Sequence, residues 1–139
     1  MDIRYFEEKD QEAVIQLWKD CGLCVPWNDP IKDIGRKLEI QRELFLVGLD
    51  EEQIVAALMG GYDGHRGWVN YLAVHPDKQR RGLARELMSG LEELLIELGC
   101  PKINLQIRDS NVEVQNFYEA IGYQQDPVVS YGKRLIPDA

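Results

Sequence analysis

The sequence has no long apolar run and no feature of a secretory signal. No stretch of the 139 residues approaches the roughly 20 consecutive apolar residues that a membrane-spanning helix needs. The first residues, MDIRYFEEKDQ, also lack the basic start and the apolar core that mark a signal peptide. We therefore expect a cytoplasmic protein without a membrane partner.

Positive charge is scarce as well. The chain has 16 lysines and arginines against 24 aspartates and glutamates, so its formal net charge is -8. Binding to nucleic acid irrespective of sequence depends on basic side chains that neutralise many phosphates. We therefore expect no nucleic-acid partner, and we expect any phosphorylated ligand to be small and to bind where basic residues cluster.

The cysteines, Cys21, Cys24 and Cys100, are odd in number and do not predict a disulfide framework. Cys21 and Cys24 have the C-x-x-C spacing of some redox and zinc sites. No second such pair follows, however, and His65 and His75 are the only histidines. We expect both cysteines to be small apolar residues near a helix end, and we expect no bound metal.

Hydrophobic periodicity divides the chain into short elements. No repeat, low-complexity segment or flexible linker interrupts residues 1–139, so we expect a single domain. The runs LFLVGL, IVAALMGGY and WVNYLAV, separated by polar turns, predict an antiparallel meander. Leucines from Leu83 to Leu98 then recur on one helical face. The predicted order is β, α, α, β, β, β, α, β, α, β, an α/β (α+β) fold that ends with the strand PVVSYGKRLI.

One basic turn stands out in this acidic chain, in the stretch HPDKQRRGLARELM, residues 75–88. It joins the predicted strand WVNYLAV to the long leucine-rich helix, whose first N–H groups and positive dipole end favour an anion. Gly82 lets a phosphate approach the backbone closely, and Arg80, Arg81 and Arg85 add positive charge. No G-K-[ST] ending follows, which excludes a P-loop. From these residues alone, a diphosphate site and a solvated helix start remain equally open.

Two motifs in this order resemble those of the GNAT acyl-CoA N-acyltransferases. The stretch QRRGLA, Gln79–Ala84, matches the family's Q/R-x-x-G-x-G/A pattern. The stretch NVEVQNFYEAIGY, 111–123, matches its N-x-x-A-x-x-x-Y-x-x-x-G-[FY] helix, with Val114 in place of the usual alanine. Other segments resemble a YpeA-like bacterial subfamily. The resemblance implies the GNAT fold, a central, mostly antiparallel mixed sheet flanked by about four helices.

The resemblance also implies a reaction and the residues that carry it out. An acetyl-CoA-dependent N-acetyltransferase would let a primary amine attack the thioester directly in a ternary complex, with Tyr118 protonating the departing thiolate. The pantetheine arm would bond to the open edge of the meander strand, and Asn111 would contact the cofactor. The remaining residues implied to bind acetyl-CoA are Leu72, Ala73, Val74, Gln79, Arg80, Arg81, Gly82, Leu83 and Ala84.

The general base stays open in the sequence. Some family members carry a glutamate where this chain has Trp68 or Gln106, and neither residue can accept a proton. The remaining candidates are Asp63, His65 and Tyr71, or a water relay. An α-amine, with a pKa of ~7.8, is neutralised at pH 7 at a lower cost than a lysine side chain with a pKa of ~10.4. We therefore favour a weakly basic acceptor, a small molecule or a peptide N-terminus.

Other interpretations remain open. The acceptor pocket is expected between the loop VPWNDP, the turn YDGHRG and the last strand, with Trp27, Asp63, His65, Trp68 and Tyr71 as substrate residues, although such aromatics, like Tyr118, also pack in cores. The same fold could be a non-catalytic acyl-CoA binding or sensing module, or an interaction domain without affinity for coenzyme A. The exposed last strand is a candidate edge for a homodimer. The acceptor, the acyl-chain preference and the oligomeric state are undetermined at this level.

Overall fold

The central strands pair as an antiparallel meander because short polar turns interrupt their apolar runs. The structure is a computed structural model that describes residues 1–138. The strands are β1 (Asp2–Tyr5), β2 (Phe45–Asp50), β3 (Gln53–Tyr62), β4 (Gly67–Val74) and β5 (Ile103–Leu105). The helices are α1 (Gln11–Asp20), α2 (Pro30–Glu39), α3 (Leu83–Glu97) and α4 (Val112–Ala120), with 3-10 turns at Glu8–Asp10, Arg42–Leu44 and Pro76–Lys78.

One sheet runs in the order β1-β2-β3-β4-β5. Strands β1 to β4 pair with one another antiparallel, and β5 lies parallel to β4. The helix α3 makes the crossover between β4 and β5, as a parallel pair requires. The mixed sheet and the helices that the sequence predicts are confirmed up to the end of α4.

Helices cover both faces of the sheet, because alternate residues of each strand point to opposite sides. On the face covered by α1 and α2, the buried apolar side chains are Phe6, Val14, Leu17, Trp18, Ile34, Phe45, Val47, Ala57, Met59 and Ala73. On the face covered by α3 and α4, they are Leu44, Leu46, Ala56, Leu58, Val69, Leu87, Met88, Leu91, Leu95 and Tyr118. We call these the α1–α2 face and the α3–α4 face.

The strand β4 contains a bulge at its middle. Ala57 of β3 lies opposite Ala73, whereas Met59 lies opposite Asn70, so Tyr71 and Leu72 share a single partner position on β3. Tyr71 has a φ of 55°, a left-handed conformation that costs a non-glycine residue free energy. The bulge bends β4 and changes the direction of its side chains.

The predicted last strand is wrong. Residues 127–136 form no strand, and the strand predicted over KINLQIR is shortened to Ile103–Leu105. Side chains rather than a backbone ladder hold this tail, since Lys102 pairs with Asp126 and Gln106 hydrogen-bonds to Ser130. Its apolar residues meet no core that would favour a strand: Val128, Val129, Tyr131, Leu135 and Ile136 are all at least 70% exposed.

The end of the tail is fixed to α2 by Asp138, whose carboxylate is almost fully buried. Arg36 Nη2 donates to it at 2.6 Å, and the Asp29 backbone N–H donates at 3.4 Å. The Arg36 hydrogen bond is the main reason that the pKa of Asp138 falls to about 2. The tail therefore crosses from β5 to the start of α2.

Two adjacent glycines in β3 provide a matched test of the packing. A Cβ on Gly60 would press on the Leu91 side chain and lie 3.0 Å from the Leu44 carbonyl oxygen, whereas a Cβ on Gly61 would meet nothing closer than 3.6 Å. We expect Gly60→Ala to lower the free energy of unfolding by about 1–3 kcal/mol. Gly61→Ala should change it by less than about 0.5 kcal/mol. Urea denaturation measures both, and equal effects would contradict this packing.

Candidate active site

Strand β4 separates from β5 after three paired residues and leaves an open edge. Gly67, Trp68 and Val69 lie beside Ile103, Asn104 and Leu105, and no later residue of β4 pairs with β5. The His75 N–H donates to the Val55 carbonyl of β3 at 2.8 Å, so His75 turns its backbone groups towards β3. Hydrogen bonding alternates from one residue to the next along an antiparallel strand. Val74, the residue before His75, therefore turns its backbone groups towards the open edge.

The open edge is partly used by side chains of the protein. The Val74 carbonyl oxygen accepts hydrogen bonds from Gln79 Nε2 at 3.1 Å and from Cys21 Sγ at 3.2 Å. Ala73 pairs with β3 and is buried, so its backbone faces away from the opening. Leu72 lies in the bulge and packs against the α3–α4 face. Of the three β4 residues predicted to bind the cofactor, Leu72 is therefore the one whose backbone is least committed elsewhere.

The turn after β4 ends in an uncapped helix start. Gly82 is the N-cap of α3 with a φ of 75°, and Arg80 is also left-handed at 67°. No side chain of residues 1–138 caps the helix, and its first backbone bond runs from the Glu86 N–H to the Gly82 carbonyl. The N–H groups from Leu83 to Arg85 therefore point out of the positive end of a 15-residue helix.

The basic side chains around this helix start differ in their surroundings. Lys78 is paired with Asp50 at 3.3 Å. Arg80, Arg81 and Arg85 are exposed and form no ion pair within the described part of the chain. Arg85 and Gly82 line a groove of about 460 Å³ beside α3, whose walls also include the carboxylates of Glu86 and Glu93, so the groove itself is not an anion site. Three arginines next to free backbone N–H groups make this helix start electropositive, which suits a phosphorylated anion.

Tyr118 lies on the α3–α4 face, where Leu72 and Val74 also pack. The residue is 6% exposed, and its ring meets Tyr123 edge-on at 5.4 Å between centroids. Burial raises the pKa of Tyr118 well above its ordinary value, so the hydroxyl stays protonated at neutral pH. Neighbouring Tyr123 instead donates its hydroxyl hydrogen to Glu92 at 2.7 Å.

Asn111 occupies the N-cap of α4. Its side-chain oxygen accepts the Val114 backbone N–H at 3.2 Å, as short polar caps do. This role is structural and explains the asparagine without a ligand. Its amide NH2 group remains available for the predicted contact with the cofactor.

Asp63 organises the turn between β3 and β4. Its carboxylate accepts the backbone N–H groups of His65 at 2.8 Å and Arg66 at 2.7 Å, and the Trp68 indole N–H at 3.1 Å. These hydrogen bonds, with that of Arg66 the largest cause, lower the pKa of Asp63 to about 2. A carboxylate with so low a pKa is a poor base at neutral pH, which counts against Asp63 as the general base. His65 is exposed on the same turn.

Tyr71 is held on the α1–α2 face. Its ring stacks on Trp18 with 4.0 Å between centroids, and its hydroxyl donates to Asp33 Oδ2 at 2.6 Å. Burial and this bond raise the pKa of Tyr71. Asp33 was not predicted as a site residue, and the helical pattern of α2 gives no signal for it, because a residue adjacent to the buried Ile34 points in a different direction around the helix.

Trp27 lies in the loop before α2 and is 51% exposed. The Arg108 guanidinium, which follows β5, lies 5.6 Å from the centre of its ring, a cation–π contact. Arg134 of the tail donates to Asn28 at 2.7 Å. The segment that precedes α2 therefore contacts the segment that follows β5 and the tail. The predicted acceptor residue Trp27 lies at this contact, whereas Trp68 and Tyr71 lie on β4.

The described residues contain neither a membrane-spanning helix nor a metal-binding cluster. None of the helices in residues 1–138 is both long and apolar enough to cross a membrane. Across the same residues, no group of three or more histidine, cysteine, aspartate or glutamate side chains is arranged to hold a metal ion.

The fold resembles those of solved acetyltransferases. The apo aminoglycoside antibiotic 6′-N-acetyltransferase AAC(6′)-Ig of Acinetobacter haemolyticus superposes with a TM-score of 0.79 at 17% identity, with 98% of this chain and 99% of that chain covered. AAC(6′)-Iy, in complex with the bisubstrate analogue CoA-S-monomethyl-acetylneamine, gives a TM-score of 0.78 at 18% identity, with 96% and 97% covered. At identities this low, the two superpositions establish the GNAT fold and nothing beyond it.

Sequence similarity is much higher to an acetyltransferase of Pectobacterium atrosepticum. The two chains are 51% identical over 138 residues, which cover 99% of this chain and 98% of the relative. Residues 9–123 also match the profile of the acetyltransferase (GNAT) family. The chain therefore belongs to the GNAT family of acetyltransferases.

Proposed function

We propose that the chain transfers the acetyl group of acetyl-CoA to a primary amine, with both substrates bound at once. The observation that carries this proposal is the position of the uncapped N-terminus of α3, at Gly82, directly after a strand whose edge is open from Asn70 onwards. The first feature suits a diphosphate, and the second suits an extended chain with amide groups. Coenzyme A carries both chemical groups.

The residues around the helix start have distinct roles in this proposal. The N–H groups of Gly82, Leu83 and Ala84 would bind the diphosphate, and the side chains of Arg80 and Arg81 would neutralise its charge. Gln79 acts differently from a ligand-binding residue, since its side chain holds the Val74 carbonyl. We assign Gln79 the task of fixing the turn against the end of β4.

Bound acetyl-CoA would supply the electrophilic carbonyl carbon of its thioester. The acceptor amine forms the new C–N bond as the C–S bond breaks, and the sulfur takes a proton from the Tyr118 hydroxyl. With ordinary pKa values of ~10 for tyrosine and ~8.5 for a thiol, this transfer is uphill by about 2 kcal/mol. Burial raises the pKa of Tyr118, and it raises that of a thiol in the same surroundings too, so the two effects oppose each other.

The proton that the amine loses passes to water in this proposal, and a proton from water returns to the Tyr118 oxygen, which restores the hydroxyl. The carboxylate of Asp63 is committed to its turn, and the hydroxyl of Tyr71 already donates to Asp33. His65 extends from an exposed turn. Without a strong side-chain base, the amine must be neutral before it reacts, which favours acceptors with a low pKa.

Residues 1–139 would act as one catalytic domain in the cytoplasm, without a metal. A homodimer stays a prediction, but the last strand that was expected to form its interface is absent. The exposed apolar residues Val128, Val129 and Tyr131 of the tail are instead the surface that a second copy would cover.

Tyr118→Phe tests the proton donor. We expect kcat for acetyl transfer to fall about 10²-fold, because general-acid catalysis contributes factors of this size. Affinity for acetyl-CoA should stay within about twofold, since the buried ring is retained. Thiol release and calorimetry measure the two quantities.

The matched control is Tyr123→Phe, which removes a neighbouring hydroxyl that is bonded to Glu92. It should leave kcat nearly unchanged. Equal kcat values for Tyr118→Phe and the wild type would remove Tyr118 from the mechanism. A wild type that binds acetyl-CoA but releases no thiol with any amine would instead identify a binding or sensing module.

The absence of a strong base predicts a preference among amines. Nα-acetyl-lysine amide offers only an ε-amine, and Nε-acetyl-lysine amide offers only an α-amine. At pH 7 the second should have a kcat/KM about 3 × 10²-fold higher, because its neutral fraction is larger by about that factor. Raising the pH from 7 to 9 should reduce the ratio of the two kcat/KM values. The α-amine is then almost fully neutral, whereas the neutral fraction of the ε-amine still increases with pH. Similar values at pH 7 would show that a base has been overlooked.

A further inference from the structure

Helix α2 directs two opposite charges at the sheet. Asp33 and Lys37 are four residues apart and therefore lie on one side of the helix, next to the buried Ile34. Both side chains are half-buried. Asp33 already has a partner in the hydroxyl of Tyr71.

Lys37 extends over β3 at Gly61. Its Nζ atom lies 3.6 Å from the position that a Cβ of Gly61 would occupy, so the glycine leaves room for the ammonium group above the strand. Directly opposite Gly61 on β4 is Trp68, which points to the same α1–α2 face. The ammonium group therefore lies beside a residue of the predicted acceptor pocket.

Lys37 is a cation without a counter-ion. No carboxylate of residues 1–138 lies within 4.0 Å of its Nζ atom, although the charge of Glu43 acts on it from farther away. Burial lowers its pKa, which is the expected effect of removing a charge from water. A carboxylate placed beside it would relieve that cost.

The two charges differ in their distance from the open edge of β4. Tyr71, which binds Asp33, lies in the bulge at that edge, and Trp68 lies three residues earlier on the strand. Three residues of a strand span roughly 10 Å. If the amine of an acceptor reaches the bulge, a second group of that acceptor roughly 10 Å from its amine would therefore lie near Lys37.

We propose that the acceptor carries a carboxylate in addition to its amine, and that Lys37 binds this carboxylate. This inference rests on the proposed acetyl transfer and narrows its acceptor to compounds in which the two groups are separated by about the length of a short peptide. Three extended residues span roughly 10 Å, so triglycine is a suitable probe.

The test compares triglycine with triglycine amide, which has the same amine and lacks the carboxylate. For the wild type we expect kcat/KM to be at least about 10-fold higher for triglycine, as is usual for a hydrogen bond between charged groups. Lys37→Met, which keeps the length of the side chain without its charge, should abolish this ratio and leave affinity for acetyl-CoA unchanged. Lys19→Met on the exposed end of α1 is the control and should retain the ratio.

Two results would overturn the inference. The first is a wild type that acetylates both peptides equally well. The second is a Lys37→Met variant that loses activity on both peptides alike with a changed pH profile, because Lys37 would then serve proton transfer rather than recognition.

A second measurement separates this inference from the proposed function. NMR of 13Cε-labelled lysine follows the titration of Lys37 without turnover, and triglycine, unlike its amide, should raise the pKa of Lys37. A Lys37 signal that di-, tri- and tetraglycine all leave unmoved would overturn the inference alone. Wild-type protein that releases no thiol from acetyl-CoA with any amine, while triglycine still raises the pKa of Lys37, would overturn the proposed function and leave Lys37 as a carboxylate-binding residue.

Discussion

The departure of β4 from β5 after Val69 is the constraint on which the rest of the site depends. A parallel pair that stayed together along its whole length would have no free backbone groups between α3 and α4. The bulge at Tyr71 and Leu72 lies just beyond the separation and places Tyr71 on the α1–α2 face, whereas Leu72 packs on the other. A donor site and an acceptor site can thus lie on opposite sides of one strand.

The charged side chains on the two sides of β4 differ in how they are paired. The positive end of α3 and three unpaired arginines concentrate positive charge in a chain with a net charge of -8. On the other side of β4, charges are mostly paired, as with Asp33 and Tyr71 or Asp138 and Arg36. Lys37 is half-buried on this side and has no carboxylate partner within residues 1–138, and for that reason it carries information about the acceptor.

Local sequence patterns predicted the meander, the long helix and the turn at Gly82, because strand alternation and helical periodicity decide those elements. They failed for residues 127–136, where an apolar run predicts a strand but tertiary contacts provide neither a paired edge nor a core. They also failed to predict the contacts of Asp33, Lys37 and Asp63. These contacts depend on how α2, the bulge and the turn between β3 and β4 pack together, and a local sequence pattern does not contain that information.

Calorimetry of acetyl-CoA binding tests the central claim, that the start of α3 is a diphosphate site. Gly82→Trp fills the space in front of the helix, and Gly99→Trp makes the same change at its other end, where the glycine is also left-handed and unobstructed. The wild type and Gly99→Trp should bind acetyl-CoA, and Gly82→Trp should not. Folded wild-type protein that fails to bind, or Gly82→Trp protein that binds as tightly as the wild type, would contradict the account.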